Sequence, residues 1–435
     1  HAQLPNQNWL LMLANYEQDT GEIHTPCSYF NINNVKFKDA GAGISNFYSS
    51  TYESKIGLCS GFTITNCKFI NASNTNHAIN AGVTTGWIVK DNHADNIIEQ
   101  DFPSMFCDMS GRSEHGEISG NKASNFFFGG KNETHVDPDG GADLKSRNNN
   151  WHDNQFIDCG HPVYKSYNEW AEGTGNTPAA EDSAFYAFRT NGQSHAVTGN
   201  TMTAKNNNCP VGIFIGQGYN DGQSCIVEGN TVDGFELVGI NVSNTQSSNA
   251  VIRGNKVVNT PTGISSGAPN VDIDDNDIRV CPYAGIFVNH EENTLIRNNT
   301  IYNCGHENTF NKAGIADWGA GARKGANTTV TGNVITSDTN EMEYGIALDG
   351  QEGYLDYTEQ NNTVIGANIA DTKHCQRRMN YTISIHEKVP ANGSVNIFSS
   401  KVSTSGFSMK NFEVWLGGTG TVQAGYSGQP GAITE

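Results

Sequence analysis

One asparagine phrase recurs along the chain, and its spacing constrains the fold more than any other feature. A β-branched alternation leads to a small or polar residue, then Asn, then a second short apolar run. It reads FTITNCKF (62–69), HGEISGNKAS (115–124), HAVTGNTMT (195–203), CIVEGNTV (225–232), AVIRGNKVV (250–258), VDIDDNDI (271–278), TLIRNNTI (294–301) and TTVTGNVI (328–335). One anchor per phrase gives Asn34, Asn66, Asn92, Asn121, Asn154, Asn200, Asn230, Asn255, Asn276, Asn299, Asn333 and Asn362. The intervals are 32, 26, 29, 33, 46, 30, 25, 21, 23, 34 and 29 residues. A floor of 21–23 with variable excess describes a solenoid coil whose loops accept insertions. The 54 Asn and 48 Gly make up nearly a quarter of the 435 residues, which calls for many short strands and tight corners.

A second phrase follows most anchors by about ten residues: AGIS (42–45), VGIFI (211–215), VGINV (238–242), TGIS (262–265), AGIFV (284–288), AGIA (313–316) and YGIAL (344–348). Each coil therefore reads as strand, Asn corner, strand, loop, Gly corner, strand. Asn tolerates the left-handed conformation the corner needs, and stacked amides can bond in a ladder. Helical period is nearly absent. Over residues 25–375 the chain resembles a right-handed parallel β-helix, an all-β fold of about 11–12 coils here. The reading divides the chain into a β-helix over 1–378 and a β-rich capping module over 379–435, where the Asn corner gives way to antiparallel-like alternation. The opening residues contain no obvious cap, so a partner or a preceding segment is expected over that edge.

The balance of 26 Lys+Arg against 45 Asp+Glu gives a net charge of −19, which argues against a nucleic-acid partner. No apolar stretch approaches the ~18 residues of a membrane span. No basic-then-apolar signal segment opens the chain, and any such segment is expected to have been removed. The ten cysteines show no zinc spacing. Cys159, Cys281 and Cys304 each fall five residues after an anchor. That suits an inward ladder of thiols; the alternative is a set of disulfides, with Cys59–Cys67 as a local pair.

A coil stack offers a lateral groove in which side chains recur every ~4.8 Å. This is similar to the rise per sugar of an extended glycan, so a chain-like polysaccharide is the natural substrate. Reading three to five residues past the Gly-Ile phrase places Asp101, Lys145, Arg147, Lys165, Tyr167, Arg189, His290, Asp317 and Trp318 on the groove. The 46-residue interval adds Trp170, Glu181 and Asp182. The segment 131–154 crowds His135, Asp137, Asp139, Asp143, Lys145, Arg147 and His152 together. Three chemistries compete there. Paired carboxylates suit glycoside hydrolysis. Cations that neutralise a uronate suit a lyase or epimerase. Asp137, Asp139 and Asp143 suit Ca²⁺, although no cofactor is required. The catalytic candidates are Asp101, Asp137, Asp139, Glu181 and Asp182. The substrate-binding candidates are Lys145, Arg147, Lys165, Tyr167, Trp170, Arg189, His290, Asp317 and Trp318.

Asp137-Pro138, followed by Leu144, Arg147 and His152-Asp153-Asn154, resembles the corresponding segment of mannuronan C5-epimerases. Asp139 stands where that family has His, and the family's Tyr before the Asp is absent. The Asn/Gly-rich coils, acidic balance and β-rich C-terminal end resemble bacteriophage tailspike depolymerases more closely. That resemblance implies a secreted or virion-associated homotrimer that cleaves a bacterial surface polysaccharide by carboxylate-based hydrolysis. A lyase or C5-epimerase acting on a uronate polymer is the alternative reading. A non-catalytic glycan-binding solenoid and a structural rod are the remaining two.

Overall fold

The computed structural model describes residues 9–12, 28–38, 42–45, 59–70, 78–82, 84–96, 105–126, 128–134, 146–160, 186–190, 192–205, 209–216, 224–243, 248–289, 292–307, 312–317, 327–339, 341–348, 357–368, 422–426 and 429–433. They form a parallel β-helix of twelve rungs, built from three twelve-stranded sheets. One sheet holds the strands before the Asn phrase, such as Val251–Arg253 and Asp272–Asp274. The next holds the strands after it, such as Lys256–Val258 and Asp277–Arg279. The third holds the Gly-Ile strands, from Trp9–Met12 to Tyr344–Leu348. Pairing between successive rungs is parallel and in register, as in Ile240↔Ile264↔Ile286↔Ile315↔Ile346. A separate antiparallel hairpin joins Val422–Tyr426 to Gln429–Ile433. The boundary expected at 378/379 lies outside the described residues.

The corner between the first two sheets uses two consecutive positions in different ways. The first is left-handed in all twelve rungs, with φ between +54° and +67°, and is filled by Asn34, Asn66, Asp91, Gly120, Asp153, Gly199, Gly229, Gly254, Asp275, Asn298, Gly332 and Asn361. The second is Asn in ten rungs, Asn92 to Asn362, each at most 3% exposed. These ten form the ladder. Each Nδ2 donates to the Oδ1 of the Asn one rung on at 2.8–3.0 Å. The backbone N–H of the same residue donates to that oxygen too, as Asn255 does to Asn276 at 3.0 Å. The remaining Nδ2 proton goes to a backbone carbonyl one rung back, as from Asn276 to Ile252 at 3.0 Å. Every polar atom of the buried amide is thereby satisfied.

Two expectations change. Asn34 and Asn66 are left-handed corner residues, not ladder members; Val35 and Cys67 occupy the ladder position in those rungs. Cys67 imitates the amide weakly, with its N–H on Asn92 Oδ1 at 2.9 Å and its Sγ 3.7 Å from Ile32 O. The glycine of the Gly-Ile phrase lies within its strand and not at a corner. A Cβ on Gly212 would sit 2.4 Å from Val232 Cγ1 and 2.6 Å from Gly239 O, so close packing against the second sheet selects glycine there.

Inside, each sheet contributes columns of apolar side chains, such as Ile240, Ile264, Ile286 and Ile315 opposite Val232, Val257, Ile278 and Ile301. Size is balanced within a rung. Where the first sheet places Trp151 inward, the Gly-Ile column shrinks to Gly130, whose Cβ would lie 2.5 Å from that indole. The eight cysteines among the described residues are all free and buried, Cys59 and Cys67 included, so the inward-thiol reading holds for them. Burial pushes Cys159 up to about 12 and Cys225 up to about 11, which makes both poor nucleophiles.

The two corner positions predict opposite responses from neighbouring residues of one type. Asn298→Gly, at the exposed left-handed position, should change the unfolding free energy by only about 0.5 kcal/mol. Asn299→Ala should cost about 3–5 kcal/mol, because Ile273 O, the Asn276 amide and Asn333 Oδ1 all lose a partner. Urea denaturation of the two variants checks the contrast.

Candidate functional site

Outward positions of the Gly-Ile sheet form straight columns, because the rungs are in register. One column runs Asn80, Asp108, Lys131, Arg189 and Phe214 on five successive rungs. It becomes uncharged further on, through Asn241, Ser265, Phe287, Ala316 and Ala347. The adjacent outward column contains Phe128 and Tyr186, with ring centroids 5.7 Å apart, and Tyr186 also packs 4.4 Å from Phe214. The described Asp, Glu, Lys and Arg of this sheet's outer face thus gather on the rungs of Met105–Ser110, Phe128–Glu133 and Tyr186–Thr190.

These charges face outward yet are nearly covered. Asp108 is 4% exposed, Lys131 8% and Arg189 5%. Lys131 Nζ forms an ion pair with Glu133 Oε2, and Arg189 Nη1 lies 4.0 Å from Glu133 Oε1. The Arg189 guanidinium also lies 5.8 Å from the centre of the Tyr186 ring. A cation over an aromatic face and beside a carboxylate is held by both. Clustered, buried ionisable groups on the outside of a rigid scaffold are a candidate site on physical grounds.

The same strands are fixed from beneath. Asn132 and Thr190 follow Lys131 and Arg189 and point inward, where Asn132 Nδ2 donates to Thr190 Oγ1 at 3.3 Å. Asn132 Oδ1 accepts from Trp151 Nε1 at 3.0 Å and Asn149 Nδ2 at 3.3 Å. Asn149 Nδ2 also reaches Ser146 Oγ at 3.1 Å, and its N–H donates to His195 Nδ1 at 3.1 Å. That bond assigns the ring proton to Nε2. Burial drives His195 down to about 3, outweighing its backbone contacts with Asn149 and Ser146.

The expected site residues divide three ways. Arg189 lies in the charged column. Arg147 lies on a neighbouring corner strip, where its Nε donates to Gln193 Oε1 at 3.2 Å and its Nη1 is 3.9 Å from Glu114. Asp317 is a correction. It is fully buried and pairs in register with the core residues Val288 and Leu348, with Thr328 Oγ1 3.5 Å away, so it faces inward and not the lateral face. Asp101, Asp137, Asp139, Asp143, Lys145, Lys165, Tyr167, Trp170, Glu181, Asp182, His290 and Trp318 lie outside the described residues, as do Cys27 and Cys375. Asp108, Lys131, Glu133 and Tyr186 escaped the sequence reading. The signal for two of them was the glycine position itself. Asp108 and Lys131, like Arg189, stand two residues past the glycine's place, which Phe106, Gly129 and Ala187 fill in those rungs.

A model of the right-handed β-helix region matches residues 186–405, just over half of the chain. No curated protein matches the sequence. Among solved structures, a double mutant of the periplasmic alginate epimerase AlgG is similar, with 14% identity, a TM-score of 0.52, and coverage of 76% of this chain and 77% of that one. The exopolygalacturonase of Thermotoga maritima aligns at 9% identity and TM-score 0.35, covering 76% and 81%. The tailspike protein of E. coli bacteriophage HK620, in complex with a pentasaccharide, aligns at 10% and 0.36, covering 87% and 71%. At these identities the likeness is one of fold.

The polar core predicts a pH response. His195 is neutral in the folded chain but titrates near its ordinary value of 6.5 when unfolded. Below that value the unfolded state binds a proton the folded state refuses. Its contribution to stability is therefore complete above about pH 6.5 and falls by about 1.4 kcal/mol per unit down to about pH 3. Unfolding free energies between pH 7 and 4 should show a shallower decline in His195→Gln than in the unaltered chain.

Proposed function

The chain belongs to the right-handed β-helix family, and from that premise we propose that it acts on a polysaccharide at the outer face of the Gly-Ile sheet. The observation that carries this reading is the placement of Lys131 and Arg189 on consecutive rungs, beside Glu133 and the Tyr186 ring. Two cations one rung apart fit the carboxylate of a uronic acid. Neutralising that carboxylate makes the C5–H more acidic, and the Glu133 or Asp108 carboxylate, or Tyr186 as its phenolate, is the proton acceptor. Loss of the C5 proton and departure of the O4 substituent give elimination. Return of a proton to the opposite face gives the epimer. This chemistry fits the described cations better than the hydrolysis favoured from sequence. Hydrolysis stays as the second reading, because Asp108 and Glu133 supply two carboxylates on adjacent rungs of one face. An extracellular or virion-associated setting and a homotrimer accompany either reading.

Digestion of a panel containing alginate, polygalacturonate and neutral glycans tests the proposal. Elimination should raise the ultraviolet absorbance of unsaturated uronate. Epimerisation should change the proton spectrum of the polymer without cutting it. New reducing ends without absorbance would select hydrolysis. Lys131→Ala and Arg189→Ala should each lower turnover by about 10²–10³ while the far-ultraviolet spectrum stays that of a β-helix. A panel left wholly unaltered would remove the enzymatic reading.

A further inference from the structure

The outer face of the second sheet carries a different column. Lys36, Lys68, His93 and Lys122 occupy one outward position on four consecutive rungs, in register throughout. All four are exposed, and among the described residues none forms an ion pair or side-chain hydrogen bond. The column continues through Gln155, Thr201 and Thr231, so no carboxylate enters it until Asp277. Asp95, two residues past His93 on the same strand, accepts from Ser124 Oγ at 2.9 Å and Asn125 Nδ2 at 3.3 Å.

The first sheet avoids such stacking. On the first sheet one outward column runs Glu228, Arg253, Asp274, Arg297, alternating in sign rung by rung. Arg253 Nη2 meets Glu228 at 2.9 Å, and Arg297 Nη2 meets Asp274 at 3.2 Å. Like charges directly opposite across strands destabilise a sheet. A column of three lysines and a histidine, with no acid among them, in a chain of net charge −19 therefore stacks Lys36 on Lys68 at a place where alternation was open to it.

We propose that this column is a second binding track, which holds an acidic polysaccharide strand lying along the helix axis. Nitrogen donors recur every ~4.8 Å over four rungs, three of them lysine ammonium groups, close to the rise of one residue in an extended glycan, so each rung meets one sugar carboxylate or sulfate. Nucleic acid fits less well. Its phosphates recur every ~3.4 Å per strand along a duplex, and the column offers only one ring, the His93 imidazole, for a base to stack on. The track lies on a different sheet from Lys131 and Arg189, and it stands whether or not that face is catalytic.

The test is binding, with no turnover required. The full chain and the variant Lys36→Ser/Lys68→Ser/His93→Ser/Lys122→Ser are titrated with alginate, heparin, neutral dextran and a single-stranded oligonucleotide at two salt concentrations. The quadruple variant should bind at least one acidic glycan about tenfold more weakly than the unaltered chain, with a flatter salt dependence. Its melting temperature should be no lower, since only like-charge contacts are lost. Arg253→Ser/Arg297→Ser, which removes cations already paired, should bind as the unaltered chain does. Equal glycan affinity in the quadruple variant, an equal loss in the paired-arginine variant, or tighter binding of the oligonucleotide than of either glycan would each overturn the track.

Discussion

The buried asparagine ladder is the interaction that the rest of the molecule depends on. Each amide accepts two hydrogen bonds and donates two, so it fixes both the distance and the register of the next rung. The apolar columns do not achieve this alone, since a stack of isoleucines tolerates sliding while a donor aimed at one oxygen does not. Leaving one member unmatched deprives several buried groups at once, and that cost holds the corner constant while the loops vary from rung to rung. The ladder stops at Asn92 on the N-terminal side, where Cys67 supplies one full-strength bond and one weak one.

A fixed register makes the outward positions independent of the fold. The same column of the Gly-Ile sheet carries Asp108, Lys131 and Arg189 on early rungs and Phe287, Ala316 and Ala347 on late ones. Charge on the other two faces follows the same logic with different outcomes, alternating around Arg253 and Arg297 but uniform from Lys36 to Lys122. The rung spacing turns each column into a one-dimensional array, and the sign pattern along it decides whether neighbouring rungs pair with one another.

The ladder was legible because Asn recurs where few other residues serve. The error of one position at Asn34 and Asn66 has a physical cause. Asn is also favoured in the left-handed conformation, so one residue type fills both neighbouring places, as Asn298-Asn299 and Asn361-Asn362 do within single rungs. The site was harder to read for a related reason. In the Gly-Ile strand two successive residues, such as Gly314 and Ile315, both face inward, which breaks the two-residue alternation. Counting three residues beyond the glycine reaches inward Asp317, whereas two residues reach the outward column. In the charged rungs Phe106 and Ala187 replace the glycine, so the phrase that marks the register is missing where it was most needed.

Lys131 and Arg189 are neighbours in space although 58 residues separate their strands, as the Asn132–Thr190 bond beneath them measures. A solenoid permits this because closing a longer loop costs only about 0.6 kcal/mol per doubling of its length. The long interval therefore leaves the pairing of the two strands in register. What the stack cannot supply through apolar packing is a fixed direction for two like charges side by side. The core changes character there, with Asn132, Ser146, Asn149, Trp151 and His195 replacing a purely apolar interior by a hydrogen-bonded one. Such a network costs desolvation, and His195 records that cost in its depressed proton affinity. In return it locks the two strands against sliding and rotation, and so fixes the spacing of the two buried cations above it.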